Sequence, residues 1–311
     1  MSKTKTALIT GITGQDGAYL AKFLLKKNYT VYGTFRRLST PNFWRLLSLD
    51  IQNDVHMISA DLSDLTSLIE SIKISKPDEV YHLAAQSYVG ASFEQPIASG
   101  EHTGMAVTRV LESIRLTDPQ IKFYQASSSE LFGNSNSLSQ NEQTPFQPRS
   151  PYAIAKLFGY WTTKLYRDGY DMFATNGILF NHESPLRGLE FVTRKISNDV
   201  AKIKLGLSKK INLGNLDGAR DWGYAPEYVE GIFCMMEQKK ADDYILATGE
   251  THSIKEFVDE ACKVANISNS KIKSTKENFR PQDIQKTKGS YKKAEKELGW
   301  SPKTKFKKIV K

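Results

Sequence analysis

The chain has 311 residues, 40% of them hydrophobic, enough for one large α/β domain and a smaller satellite, which excludes disorder as the dominant state. Its two cysteines, Cys234 and Cys262, sit in apolar, helical-looking surroundings, so neither a disulfide framework nor a cysteine zinc site is expected, and a reducing cytoplasm fits best. Net charge is +9, of which +8 falls between residues 239 and 311, where 18 basic residues meet 10 acidic ones; those lysines alternate with Glu and apolar residues, as in Tyr291-Lys-Lys-Ala-Glu-Lys-Glu-Leu298, and read as a solvated helix face, not a nucleic-acid surface.

No apolar run approaches a membrane span, and the N-terminus leads into only a short apolar stretch at 7–9, so a soluble, unprocessed protein with no membrane partner is expected. In chain order, short β-branched or apolar runs alternate with helical patterns: a strand at 6–10, a helix at 19–27, strands at 30–35 and 55–59, a helix at 65–74 and a strand at 79–83. A helix ending near Arg115, a strand at 121–126, a helix at 153–167 and a strand at 172–179 continue the rhythm. Repeated βα units of this kind build a parallel sheet, here of seven strands with helices on both faces. Beyond about residue 180 the pattern loosens into polar loops carrying Pro185, Gly188, Gly206, Gly214, Gly218 and Pro281. The expected architecture is α/β: a Rossmann-like doubly wound parallel sheet over 1–180 and a smaller C-terminal α/β substrate-binding domain over 181–311. A return to the first domain is expected near 215–240, where 229–238 reads as a helix.

The first strand runs into Gly11-Ile12-Thr13-Gly14-Gln15-Asp16-Gly17, after which a helical pattern begins. Glycines let the backbone turn sharply and approach a pyrophosphate, and free N–H groups at a helix start attract its charge, so this position points to a dinucleotide. A plain packing turn is the alternative. The second strand ends in Arg36-Arg37, not in the acidic residue that holds a ribose 2′-hydroxyl; an arginine pair suits a 2′-phosphate, so NADP is preferred to NAD, the alternative being surface arginines without a ligand. Asp61-Leu62 after the third strand is placed to meet the adenine, and Leu83-Ala84-Ala85-Gln86-Ser87 after the fourth to run beside the phosphates and nicotinamide ribose.

At the exit of the fifth strand, where open α/β sheets build their sites, Ser127-Ser128-Ser129-Glu130 gathers hydroxyls and one carboxylate; a polar strand-end turn is the competing reading. Tyr152 and Lys156 stand four residues apart, hence on one helix face, where a cation favours phenolate and makes a general base. That spacing alone is common on solvated helices.

With these elements in order, the chain resembles the extended short-chain dehydrogenases, and within them the GDP-mannose 4,6-dehydratase family. The likeness is carried by Ala7–Gly17, Phe123-Tyr-Gln-Ala126, Ser129-Glu130 and Pro148-Arg-Ser-Pro-Tyr-Ala-Ile-Ala-Lys156. In the second half it is carried by Gly177-Ile-Leu-Phe-Asn-His-Glu-Ser-Pro185, Phe191-Val-Thr-Arg-Lys195, Gly214-Asn-Leu-Asp-Gly-Ala-Arg-Asp-Trp-Gly223 and Ala247-Thr-Gly249. The resemblance implies that Tyr152 takes the sugar 4-hydroxyl proton while hydride passes from C4 to NADP, with Lys156 in support and on the nicotinamide ribose. Ser128 holds the reacting oxygen, Glu130 removes the C5 proton and helps water leave C6, and hydride returns to C6. It implies cofactor contacts from the glycine loop, Arg36, Arg37, Ser39, 61–62, 83–87, His182 and Arg187. His182 reads equally as a satisfied structural histidine. For a GDP-sugar it implies Ser87, Ser129, Asn181, Glu183, Val192, Lys195, Gly214, Asn215, Arg220, Arg280 and Asp283, with surface salt bridging as the alternative. No metal is implied; the substrate would be GDP-mannose and the assembly a homodimer or homotetramer.

The departures from the family pattern are Ser128 in place of threonine, Asp283 in place of glutamate, the Glu101-His102-Thr103 step, and a short segment after Arg37. A GDP-heptose 4,6-dehydratase is the nearest alternative, and a nucleotide-sugar 4-epimerase or 4-ketoreductase, which needs no base at Glu130, the next. A non-catalytic NADP-binding scaffold is the reading from another class.

Overall fold

The computed structural model describes residues 4–268, 272–274, 282 and 284–311. Its strands are β1 Thr6–Thr10, β2 Thr30–Phe35, β3 His56–Ser59, β4 Glu79–His82, β5 Lys122–Ser128, β6 Ala174–Leu179, β7 Asn181–Glu183, β8 Ile211–Leu213, β9 Ala219–Arg220, β10 Trp222–Tyr224, β11 Asp243–Leu246, β12 His252–Ser253 and β13 Ile272–Ser274. The helices are α1 Gln15–Lys26, α2 Trp44–Ser48, α3 Leu65–Ser75, α4 Val89–Glu94, α5 Pro96–Ser99, α6 Ala106–Thr117, α7 Pro151–Tyr170, α8 Val192–Lys204, α9 Ala225–Met236, α10 Ile254–Ala265, α11 Lys292–Leu298 and α12 Phe306–Val310.

Seven strands form one parallel sheet in the order β11-β6-β5-β4-β1-β2-β3, a Rossmann-like doubly wound arrangement. A parallel sheet covered on both faces needs strands that are apolar or hydrogen-bonded throughout, and every residue of β4 and β6 is buried. One face packs α1 and α9 through Leu20, Leu24, Ile232 and Met235; the other packs α3 and α6 through Leu68, Ile72, Leu111 and Ile114. The seventh strand, β11, comes from far along the chain and pairs with β6.

A smaller body packs Ile196, Val200 and Ile203 of α8 against Ile211, Leu213, Trp222, and Phe257 and Val258 of α10. The parallel pairing of β10 with β7, which directly follows β6, brings this body to the carboxyl end of the main sheet, and β12 pairs antiparallel with β9 within it. Local signals fix the elements that carry the site. Ser150 caps α7 by accepting from Ala153 N at 3.1 Å, with Pro151 in the first turn. Asp64 caps α3 by accepting from Thr66 and Ser67 N.

Candidate active site

A cleft of about 880 Å³ runs along the carboxyl ends of β1, β2, β4, β5 and β6 and is closed on its far side by 181–195 and 213–222. At its centre is the turn between β1 and α1. Gly11 has φ +73, and a Cβ there would lie 2.7 Å from the Ala84 Cα; a Cβ on Gly17 would lie 2.4 Å from the Gly11 carbonyl oxygen. Only glycine permits that close approach. α1 starts at Gly14 with no side chain capping it, so the first-turn N–H groups are left to the cleft, as an anion cradle requires.

Asp16 in that first turn would repel an anion, but its charge is met. His182 Nε2 lies 2.9 Å from the Asp16 carboxylate and Nδ1 2.7 Å from the Phe180 carbonyl oxygen, with the ring stacked on Tyr228. Both contacts call for an N–H donor, so the ring is a cation. Burial works to lower the His182 pKa, but the Asp16 charge and hydrogen bond prevail and raise it above its ordinary value. Burial likewise works to raise Asp16, and His182, then Gln15 and Arg187, hold it well below the carboxylate range. The pair ties the glycine turn to the segment after β6.

The chemistry-bearing groups meet where β5 ends and α7 begins. The Ser128 hydroxyl accepts from Glu130 N at 3.2 Å, capping the short 3₁₀ turn Ser129–Phe132, and is hydrogen-bonded to the Tyr152 phenol. Burial pushes that phenol up to about 12, partly offset by the Ser128 bond. One turn on, the Lys156 ammonium donates to the Ala126 carbonyl oxygen at 2.6 Å and stands 5.9 Å from the Tyr152 ring centre; burial lowers it to about 8. α7 lies close because small residues face its neighbour: a Cβ on Gly159 would meet the Val107 side chain at 2.8 Å.

Every described residue assigned from the sequence to the cofactor or the sugar nucleotide lines this cleft, with three exceptions. Ile12 is fully buried, its side chain packed beneath Gly33 in the core, while Arg37 and Ser39 are exposed and outside the cleft walls. Arg36, Asp61 and Leu62 line one end, Leu83, Ala84, Ala85, Gln86 and Ser87 the middle, and Ser129, Asn181, Glu183, Val192, Lys195, Gly214, Asn215 and Arg220 the other. Glu183 is held from within: its carboxylate accepts from the Thr193 hydroxyl at 2.5 Å and lies 3.5 Å from Arg187 Nε, whose guanidinium covers the Phe191 ring. Arg280 and Asp283 lie outside the described residues.

Sequence reasoning missed Arg45. From α2 its guanidinium donates to Thr13 O at 3.1 Å and Leu186 O at 2.8 Å, fastening the glycine turn to the loop after β7. Both acceptors are backbone carbonyls distant in sequence, so no local pattern announces the contact.

A sequence profile described as GDP-mannose 4,6 dehydratase matches residues 8–311. The chain belongs to the GDP-mannose 4,6-dehydratase family. Within that family it is 46% identical to GDP-mannose 4,6 dehydratase 1 of Arabidopsis thaliana over 99% of this chain and 88% of the plant protein. Its fold is similar to that of DesIV, a dTDP-glucose 4,6-dehydratase from Streptomyces venezuelae solved with NAD, at a TM-score of 0.88 and 20% identity, covering 98% and 95% of the two chains. It is also similar to RMD from Pseudomonas aeruginosa, solved with NADPH, at 0.82 and 21%, covering 99% and 96%. Among the described residues no helix is long and apolar enough to cross a membrane, and no three His, Cys, Asp or Glu side chains are grouped to hold a metal ion.

Proposed function

We propose that the chain is an NADP-dependent hydro-lyase that converts GDP-mannose to GDP-4-keto-6-deoxymannose. The observation that carries this reading is the convergence of the Tyr152 phenol, the Ser128 hydroxyl and Glu130 at one point of the cleft, beside a tight glycine turn that leaves the first-turn N–H groups of α1 open to an anion. A 4-epimerase or 4-ketoreductase has no use for a carboxylate at that point; a 4,6-dehydratase does.

When bound, the dinucleotide accepts hydride from C4 and returns it to C6. The chain supplies the rest. Its α1 N-terminus and Asp16–His182 pair hold the pyrophosphate without net repulsion, and Arg36 supports the 2′-phosphate that separates NADP from NAD. Ser128 holds the sugar 4-oxygen while Tyr152 accepts its proton, and the Lys156 cation favours the phenolate. Glu130 then takes the C5 proton, acidified by the neighbouring ketone, and delivers a proton to the departing C6 hydroxyl; as hydride returns to C6, the proton that Tyr152 took from the 4-hydroxyl goes to C5, which restores the phenolate. Ser128 performs its part through the hydroxyl alone, so the methyl of the threonine usual in the family is dispensable.

The labour divides near residue 180, the sheet domain carrying the dinucleotide and 181–311 the GDP-sugar, with α9 returning to the sheet face. Two free cysteines, one of them buried, suit a reducing cytoplasm. Ile154, Phe158, Trp161 and Leu165 form an exposed apolar stripe along α7, which supports a homodimer formed on that face. Mass spectrometry of the product from GDP-mannose and NADP, with GDP-heptose in a parallel reaction, tests the assignment. A keto-deoxy product 18 mass units lighter, formed from GDP-mannose in preference, is expected from loss of water; faster turnover of the heptose would transfer the assignment to that sugar.

A further inference from the structure

Residues 96–117 make one helical run whose middle, Gly100–Met105, is wound as a π-helix. A π segment re-aims the side chains it carries, which is why such segments collect at functional sites. Here successive residues receive different neighbours. Glu101 pairs with Arg109 at 2.6 Å, His102 lines the cleft, Thr103 is buried with its hydroxyl accepting from Gln86 N at 3.2 Å, and Gly104 lies against Ala155 of α7.

Gln95 and Ala98 line the same cleft as His102, so the helix presents one face to it. That end of the cleft is otherwise built from Thr34, Phe35 and Arg36 at the exit of β2 and Ala60, Asp61 and Leu62 after β3. His102 belongs to the same corner. Hydrogen bonds from Ser63, hydroxyl and backbone, hold Asp61 below the usual carboxylate range, and the positive fields of His102 and Arg36 reach it as well. The half-buried His102 ring makes no hydrogen bond to any described residue, so its face and its nitrogens remain available to a ligand.

We propose that His102 is a cofactor-binding residue of the adenosine pocket, its imidazole forming the helix-side wall against the adenine of the bound dinucleotide. This rests on reading the cleft as a nicotinamide-dinucleotide site. The adenine is favoured over the 2′-phosphate because Asp61 shares the corner: a carboxylate there repels a phosphate but accepts from the exocyclic amine of adenine. An imidazole offers that base both a stacking face and a hydrogen-bond donor.

Binding of NADPH and of NADH to the purified chain, followed by calorimetry for the native protein and for His102→Ala, His102→Phe and Arg36→Ala, tests this. His102→Ala should weaken both dinucleotides alike, by about five- to tenfold, from the usual worth of one base–aromatic contact. His102→Phe, which keeps a ring, should restore most of the loss. Arg36→Ala should weaken NADPH far more than NADH. Unchanged affinity of both dinucleotides in His102→Ala would overturn the proposal, and so would a loss confined to NADPH, which would assign the imidazole to the 2′-phosphate. A native chain that binds neither dinucleotide would instead overturn the cofactor reading on which the proposal stands.

Discussion

Replacing Lys156 by Gln isolates the electrostatic part of the proposed base. Burial puts the Tyr152 phenol at about 12, so at pH 7.5 only about one molecule in 30,000 would carry phenolate without further help. The Lys156 ammonium stands 5.9 Å from the ring centre, and at an effective dielectric of about 20 a unit charge there stabilises phenolate by about 3 kcal/mol, a factor of roughly 100. That help has its own pH limit. Burial lowers Lys156 to about 8, so the cation is present below pH 8 and is lost above it. Product formation at saturating NADP and GDP-mannose should therefore rise with pH and level off above about pH 8. Lys156→Gln should be about 100-fold slower at neutral pH and should lose the levelling near pH 8, while NADPH affinity measured separately reports any lost ribose contact. A variant slowed less than about threefold, with the levelling intact, would refute the assignment of charge support to Lys156.

Glu130→Gln should cut formation of the keto-deoxy product at least 100-fold, as loss of a general acid–base does, while GDP-mannose-dependent reduction of NADP remains visible by absorbance. An epimerase or ketoreductase would keep nearly full turnover. The raised pKa of His182 stabilises the fold fully below the unfolded value of 6.5 and ceases to do so as pH climbs through the folded value, so melting temperature should fall across that interval in the native chain. His182→Gln should lower the melting temperature at pH 6 and flatten this dependence, measured by calorimetry from pH 6 to 9. Phe158→Glu with Trp161→Glu places two charges in the exposed stripe of α7 and should shift the sedimentation of the native assembly to that of a monomer without changing the helical content.

The sheet was readable because parallel strands buried on both faces leave continuous apolar runs, and β1 and β2 occupy the expected 6–10 and 30–35. The first helix begins at Gln15 and not at 19, because its opening turn is written in glycine and polar residues that serve the backbone approach and carry no apolar period. β11 was missed as the seventh strand: Asp243–Leu246 is short, and the polar loops and the smaller body that follow β6 separate it in sequence from the strand it pairs with. Its Asp243 explains why it sits there, accepting from Arg167, Tyr160 and Asn176 across three elements, a network no window of sequence contains.

The site divides in the same way. Glu130, Tyr152 and Lys156, which line one cleft, could be proposed from sequence alone because proton transfer calls for particular groups at short, fixed offsets from a strand end or along one helix face. Arg45 and the Asp16–His182 pair could not, because they tie the glycine turn to β7 and the loop after it through partners more than thirty residues apart in the chain. In the proposed reaction those two contacts would keep the glycine turn and the segment after β6 in one geometry throughout. A shift of the glycine turn relative to Ser128 by even an ångström would be expected to slow such chemistry about 100-fold. The departures from the family pattern sort accordingly. Ser128 keeps the hydroxyl that both Glu130 N and Tyr152 use, whereas His102 introduces a new side chain at the adenosine end, where affinity for the retained dinucleotide can change while the proton-transfer groups stay in place.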